Sequence, residues 1–303
     1  MAPASKTGRK TQWAIPALFS GATGIAFAPI FVRLSRVGPS TTAFWRMALA
    51  LPLLGVWALW EKKKNPETPY PQTGKECLLL LLPGLFFAGD LAIWHWSITF
   101  TTVANATLLA NFSPIFVTWG AWLLFRERVS FRFLLGMALA LAGAVTLMGS
   151  SVHLSGRHVA GDVLGILTAV FYSGYLLTVT RLRNRYSTAA IMTFSGISCC
   201  LALFLIAGAS EQDLLPGTWE GWLVLIGLAL VSQVGGQGLI TYALAYLPAP
   251  FASVGLLLQP MLAALLAWIC LKETMGGMQG LGGIMILWGI FLAKTGSRNS
   301  KTD

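Results

Sequence analysis

The stretch "FTTVANATLLANFSPIFVTWGAWLLFRERVSFRFLLGMALALAG" (100–143) has a counterpart later in the chain, "YLPAPFASVGLLLQPMLAALLAWICLKETMGGMQGLGGIMILWG" (246–289). One constant offset lays Ala106 on Ala252, Pro114 on Pro260 and Trp122 on Trp268. It also lays Arg126-Glu127 on Lys272-Glu273, Gly136 on Gly282 and Gly143 on Gly289. Identity is modest, yet the special residues stay in register through two apolar runs and their connector. Self-similarity of this kind marks a duplication.

What is duplicated follows from composition. The chain has 303 residues, 55% hydrophobic and 11% charged, with mean hydropathy +0.69. Soluble domains carry about 25% charged residues, so too few are present here to cover a water-facing surface. The net charge of +10 does not point to nucleic acid, because the cations form short clusters between apolar blocks without a continuous basic face. A helix crossing the hydrocarbon core needs about 20 apolar residues. Ten such runs are read at 13–32, 40–60, 77–97, 103–125, 132–149, 162–180, 188–209, 221–243, 248–271 and 279–294. "AFA" (26–28) resembles a signal-peptide cleavage site, but the apolar run continues to Val32 and the repeat requires this helix. Cys77, Cys199, Cys200 and Cys270 lie in or beside apolar runs, without metal or disulfide spacing, and read as small buried hydrophobes.

The expected fold is an all-α membrane protein of ten transmembrane helices in two five-helix repeats, 1–150 and 151–303. Five is odd, so the halves run in opposite directions, an arrangement that places a substrate site between repeats near the midplane. Of the 21 Lys and Arg, 16 fall on the side of the N-terminus and 4 on the other, with Arg46 inside a span. Both termini are therefore expected in the cytoplasm and the protein in the cell membrane.

On "FWRMALALPLL" (44–54), "SP…AWLLFRE" (113–127) and its partner "QP…AWICLKE" (259–273), the chain resembles the EamA-type members of the drug/metabolite transporter superfamily, over nearly its whole length. The resemblance implies a basket of ten helices around a central cavity, exporting amino acids or other small metabolites. No cofactor and no enzyme activity are expected. The partners it implies are the lipid bilayer and a small-molecule substrate, with or without a coupling proton or ion. Family members often carry an acid before the second-half proline, where this chain has Gln259, which leaves proton coupling at that position without support.

Charge inside a span costs about 2.5–3.5 kcal/mol at its centre on insertion scales. Arg46 and Asp90 lie at similar depth on consecutive helices, roughly 9–12 Å from the outer end at 1.5 Å per residue. An Arg46–Asp90 ion pair is expected, either joining the two helices or bordering the substrate path. Asp90, Trp94 and Ser97 share a helix face. In the second half Gln233 and Gln237 fall opposite Asp90 and Trp94, beside Gly235 and Gly236. Asn111 and Gln259 flank the repeated prolines, where each amide either caps a freed carbonyl or meets a ligand. The candidate substrate-binding set is Arg46, Asp90, Trp94, Asn111, Gln233, Gln237 and Gln259. His95 reads as an interfacial or packing residue, and Tyr172 and Tyr175 are weaker candidates, since lone aromatics in a span are usually packing residues. Glu127 and Glu273 read as interfacial partners of Arg126 and Lys272. Gly136…Ala140 and Gly276…Gly280 fit close helix packing.

Two other function classes compete with a secondary transporter. An intramembrane enzyme needs a catalytic set at membrane depth, and neither H-E-x-x-H nor G-x-S-x-G occurs. His153, His158 and Asp162 are too sparse for a metal site. A passive channel lacks a ring of like charges.

Overall fold

The computed structural model describes residues 12–101, 103–148, 159–211, 213–271 and 276–299. Ten helices within them are long and apolar enough to cross a membrane. No strand occurs among the described residues. The helices are α1a (Ala14–Ala26) and α1b (Ala28–Leu34), α2 (Pro39–Lys64), α3 (Gly74–Phe100), α4a (Val103–Ala110) and α4b (Ser113–Phe125). Then follow α5 (Phe131–Met148), α6 (Val159–Arg183) and α7 (Thr188–Ser210). The eighth helix has an α-helical start, α8a (Trp219–Gly227), a π-helical stretch (Leu228–Gln237) and a short end, α8b (Gly238–Ala243). Last come α9a (Ala249–Gly255), α9b (Leu258–Leu271) and α10 (Gly277–Asn299).

Local chemistry sets these boundaries. Thr73, Ser187 and Thr218 cap α3, α7 and α8a, each side-chain oxygen accepting a hydrogen bond from a backbone N–H three residues on. At α3, Glu76 accepts in return from the N–H of Gln72, close to a capping box. Proline interrupts three helices. The first breaks at Phe27 before Pro29, the fourth at Asn111–Phe112 before Pro114, and the ninth at Leu256–Leu257 before Pro260. A proline has no N–H for the carbonyl one turn back, which favours a break there. Pro52 and Pro83, inside α2 and α3, leave the helix continuous.

The packing maps onto itself when each helix is exchanged for the one five places on. The third helix packs on the sixth as the eighth packs on the first, and α5 pairs with α10. Glycines bring backbones together in the tightest joints. A Cβ on Gly143 would stand 2.7 Å from the Gly282 carbonyl oxygen, and one on Gly282 2.7 Å from that of Gly143. Gly136 meets Ala293, and Gly289 meets Ala140. Ascending positions on α5 meet descending ones on α10, so the two helices are antiparallel. Gly21 and Gly24 likewise lie against Gly236 of the π stretch, and Ser232 donates to the Gly24 carbonyl at 2.9 Å, which ties the first span into the bundle. The expected Gly276…Gly280 packing is corrected, since both face open space. These two open the tenth helix, and its packing face begins at Gly282. Large apolar side chains such as Leu78, Leu124, Leu205 and Phe291 remain exposed on the outside, as a lipid-facing surface requires.

Candidate functional site

A cavity of about 250 Å³ lies between the helices of both halves. It falls just under the roughly 300–1,000 Å³ usual for small-molecule pockets, a size that suits a small solute. Its walls come from α1b, the first third of α2, the second half of α3, the breaks of the fourth and ninth helices, α6 and the π stretch. It therefore extends toward the end of the bundle that carries the 35–38 turn. The opposite half is filled, with Leu18, Leu54 and Ile240 fully buried.

Arg46, Asp90, Trp94, Asn111, Gln237 and Gln259 all line this cavity. Gln233 does not. It lies one layer behind, 2% exposed, and its Oε1 accepts a hydrogen bond from Arg46 Nε at 2.9 Å. The Arg46 guanidinium also rests on the Phe87 ring, 5.6 Å from its centroid. The expected Arg46–Asp90 ion pair is thus corrected. The two charges share the cavity and act on each other through space, but no ion pair within 4.0 Å forms between them. The physical reason is helix order. The second helix packs mainly on the seventh and eighth, and only lightly on the third. Arg46 thereby reaches the π stretch, where a widened turn presents Gln233.

The amides divide their work. Asn111 Nδ2 donates to the Thr107 carbonyl at 2.8 Å, one turn back at the helix break. Gln237 Nε2 donates to the Tyr175 hydroxyl at 2.9 Å. Gln259 Nε2 is buried without a partner. Tyr175 stands 4.9 Å from Phe87 and stacks at 6.1 Å on Tyr172, which lines the cavity. These rings form a polar-edged floor, beyond the packing role expected of the tyrosines. Phe87 was legible from its spacing, since it shares a face with Asp90 and Trp94. No sequence signal links Tyr175 to Gln237.

Other polar groups hold the framework. Glu211 accepts from the N–H groups of Ser40 and Thr41, at 2.7 and 3.0 Å, across the start of α2. Trp45 Nε1 donates to the Leu214 carbonyl at 2.7 Å. At the far end Arg183 donates to the carbonyls of Thr241 and Tyr186. Arg126 closes α4b with φ 56°, the left-handed conformation of an αL ending, in which Arg126 N donates to Trp122 O. The Lys272–Glu273 pair, His153 and His158 lie outside the described residues, as do the side chains of His95 and Cys270. Among the described residues no cluster of His, Cys, Asp and Glu could hold a metal ion.

A multi-pass helical bundle with a sparsely polar cavity between its helices has the form of a membrane carrier. The EamA-like transporter family matches residues 12–149 and 159–295, and the chain belongs to that family. It is 26% identical to an uncharacterized transporter of Archaeoglobus fulgidus, over 88% of this chain and 91% of that one. It is 25% identical to the pseudopaline exporter CntI of Pseudomonas aeruginosa, covering 69% and 72% of the two chains. A probable amino-acid metabolite efflux pump of Salmonella typhimurium is 27% identical, covering 92% and 93%. A solved crystal structure superposes with a TM-score of 0.79 at 18% identity, over 95% of this chain and 98% of that one, and shares the fold.

Proposed function

We propose that the protein is a secondary transporter, and not an enzyme, that exports small polar or amphipathic, amino-acid-like metabolites by alternating access. The observation that carries the reading is the cavity where two broken helices, the fourth and ninth, meet Arg46, Asp90 and three amides from both halves. Broken helices that line a cavity are a recurring design for solute sites in carriers. The repeated sequence, the self-mapping packing and the antiparallel α5–α10 pair support two inverted five-helix repeats, 1–150 and 151–303. The names of two relatives, an exporter and an efflux pump, support the direction.

The distribution of Lys and Arg supports a cell-membrane protein with both termini in the cytoplasm. In that orientation the cavity faces outward, and Arg183 with the packed inner half closes the cytoplasmic side. Cysteines placed in 61–76 and in 210–220 are expected to label from opposite faces. Labelling from one face would overturn the topology.

The test of function is counterflow in reconstituted vesicles with a panel of amino acids and their derivatives. Saturable counterflow is expected. Conductance without saturation would replace the carrier by a channel, and chemical conversion of the solute would replace it by an enzyme. Gln237→Leu is expected to lower counterflow with near-normal amounts of folded protein.

A further inference from the structure

We propose that the cavity selects its solute by a protonated amine seated on Asp90, and does not require a solute carboxylate held by Arg46. The proposal rests on the transporter reading and specifies its substrate class. It follows from asking which polar atoms in the cavity are still free to act.

The neutral donors are largely committed, and of the five guanidinium N–H groups of Arg46 the one on Nε is bonded. Arg46, 7% exposed, is turned toward Gln233 and the Phe87 ring. Asn111 Nδ2 is held by the Thr107 carbonyl, and Gln237 Nε2 by the Tyr175 hydroxyl. The hydroxyls of Thr42, Thr168 and Ser253, all in the lining, donate to the backbone carbonyls of Gly38, Leu164 and Pro250. Among the described residues, Gln259 Nε2 is a fully buried lining donor without a hydrogen bond; it is neutral and suits a carbonyl or hydroxyl oxygen as well as a carboxylate. Acceptors remain open in contrast. Asn111 Oδ1 and Gln237 Oε1 are not used by these bonds, and the Asp90 carboxylate has no cation within 4.0 Å among the described residues.

A carboxylate held away from bulk water without a contact cation is costly, and a ligand that supplies the cation recovers that cost. An ammonium group brings three N–H donors, enough for Asp90 and the amide oxygens together. Trp94, one turn on from Asp90, and Tyr172 line the same cavity and offer ring faces suited to a cation. The rest of the wall, including Leu91, Leu228 and Leu256, is apolar and suits an aliphatic or aromatic body.

The test compares three probes with one carbon skeleton: leucinamide, a cation; leucine, a zwitterion; and 4-methylpentanoate, an anion. Binding is read as thermal stabilisation of the full chain in detergent or nanodiscs, since a ligand that binds only the native state raises its stability. Leucinamide and leucine are expected to stabilise the protein and 4-methylpentanoate is not. Asp90→Asn is expected to weaken the two amines by about tenfold or more, the loss that follows removal of a charge-assisted hydrogen bond. Asp90→Glu, which keeps the charge, is expected to retain the order of the probes. Stabilisation by 4-methylpentanoate equal to that by leucinamide would overturn the proposal, as would the absence of any effect of leucinamide. If Asp90→Asn does not fold, the wild-type comparison decides alone. Leucinamide that binds, with no counterflow for any solute of the panel, would support the amine site and refute the transport reading.

Discussion

Replacing Gly289 by alanine tests whether α5 and α10 touch through their backbones. A Cβ there would lie 2.4 Å from Ala140 N and 2.7 Å from Ala140 Cα, whereas ordinary contact begins at 3.4 Å. Neither atom can swing aside, because both belong to a helix backbone. The helices must therefore part locally by about 1 Å, and gaps of that size forfeit roughly a quarter to a half of each neighbouring dispersion contact. Overpacking of this kind costs about 1–3 kcal/mol. Alanine also favours a helix over glycine by up to about 1 kcal/mol, which partly masks the loss. The same-helix control is Gly280→Ala, where nothing lies within 4 Å of the new methyl. Subtracting one variant from the other leaves the contact itself, so Gly289→Ala should be less stable than Gly280→Ala by about 1–3 kcal/mol. Equilibrium unfolding in mixed micelles measures the difference. Equal stability of the two variants would refute close backbone contact and, with it, the reading of the repeated glycines as packing devices.

Gln233→Leu leaves Arg46 Nε without its acceptor, which should cost about 1–3 kcal/mol by the same unfolding measurement. A double-mutant cycle should couple Arg46 to Gln233 more strongly than Arg46 to Asp90, and the reverse order would restore the ion pair. Glu211→Ala removes the acceptor for two N–H groups at the start of α2 and should cost about 1–2 kcal/mol, read as a lower melting temperature. Arg126→Gly should stabilise by about 1 kcal/mol, because glycine adopts the left-handed conformation without a Cβ clash, and a lower melting temperature would show that the guanidinium has a role of its own.

How far the chain could be read in advance depended on whether a property runs along the sequence or across the bundle. All ten spans were legible, because apolar length is a property along the chain, and the structure differs mainly by turns added at ends such as Lys62–Lys64 and Ser97–Phe100. The breaks at Pro114 and Pro260 were legible for the same reason. Depth is also an along-chain property, and it placed Arg46 and Asp90 at the level of one cavity. Direction around the bundle is not. Two helices consecutive in sequence were assumed to be neighbours, whereas α2 packs chiefly against the seventh and eighth helices. The hydrogen bond from Gln237 to Tyr175 was hidden for that reason too, since it joins helices from separate positions in the chain.

The changed partner of Arg46 alters what the cavity can do. An Arg46–Asp90 contact would have neutralised both charges and left a site lined by amides and rings. With Arg46 held by Gln233 against Phe87, the guanidinium has a neutral hydrogen-bond partner and an aromatic face, while the carboxylate faces the cavity without a contact cation. The carboxylate end of the site is thereby left open to a solute group that carries positive charge of its own. Gln233 lies outside the lining, yet it keeps that end open by holding the arginine aside. Removing it should let Arg46 relax toward Asp90, so Gln233→Leu is expected to weaken leucinamide binding although the substitution leaves every lining residue in place. Unchanged leucinamide binding in a folded Gln233→Leu protein would show that Arg46 is held by packing alone.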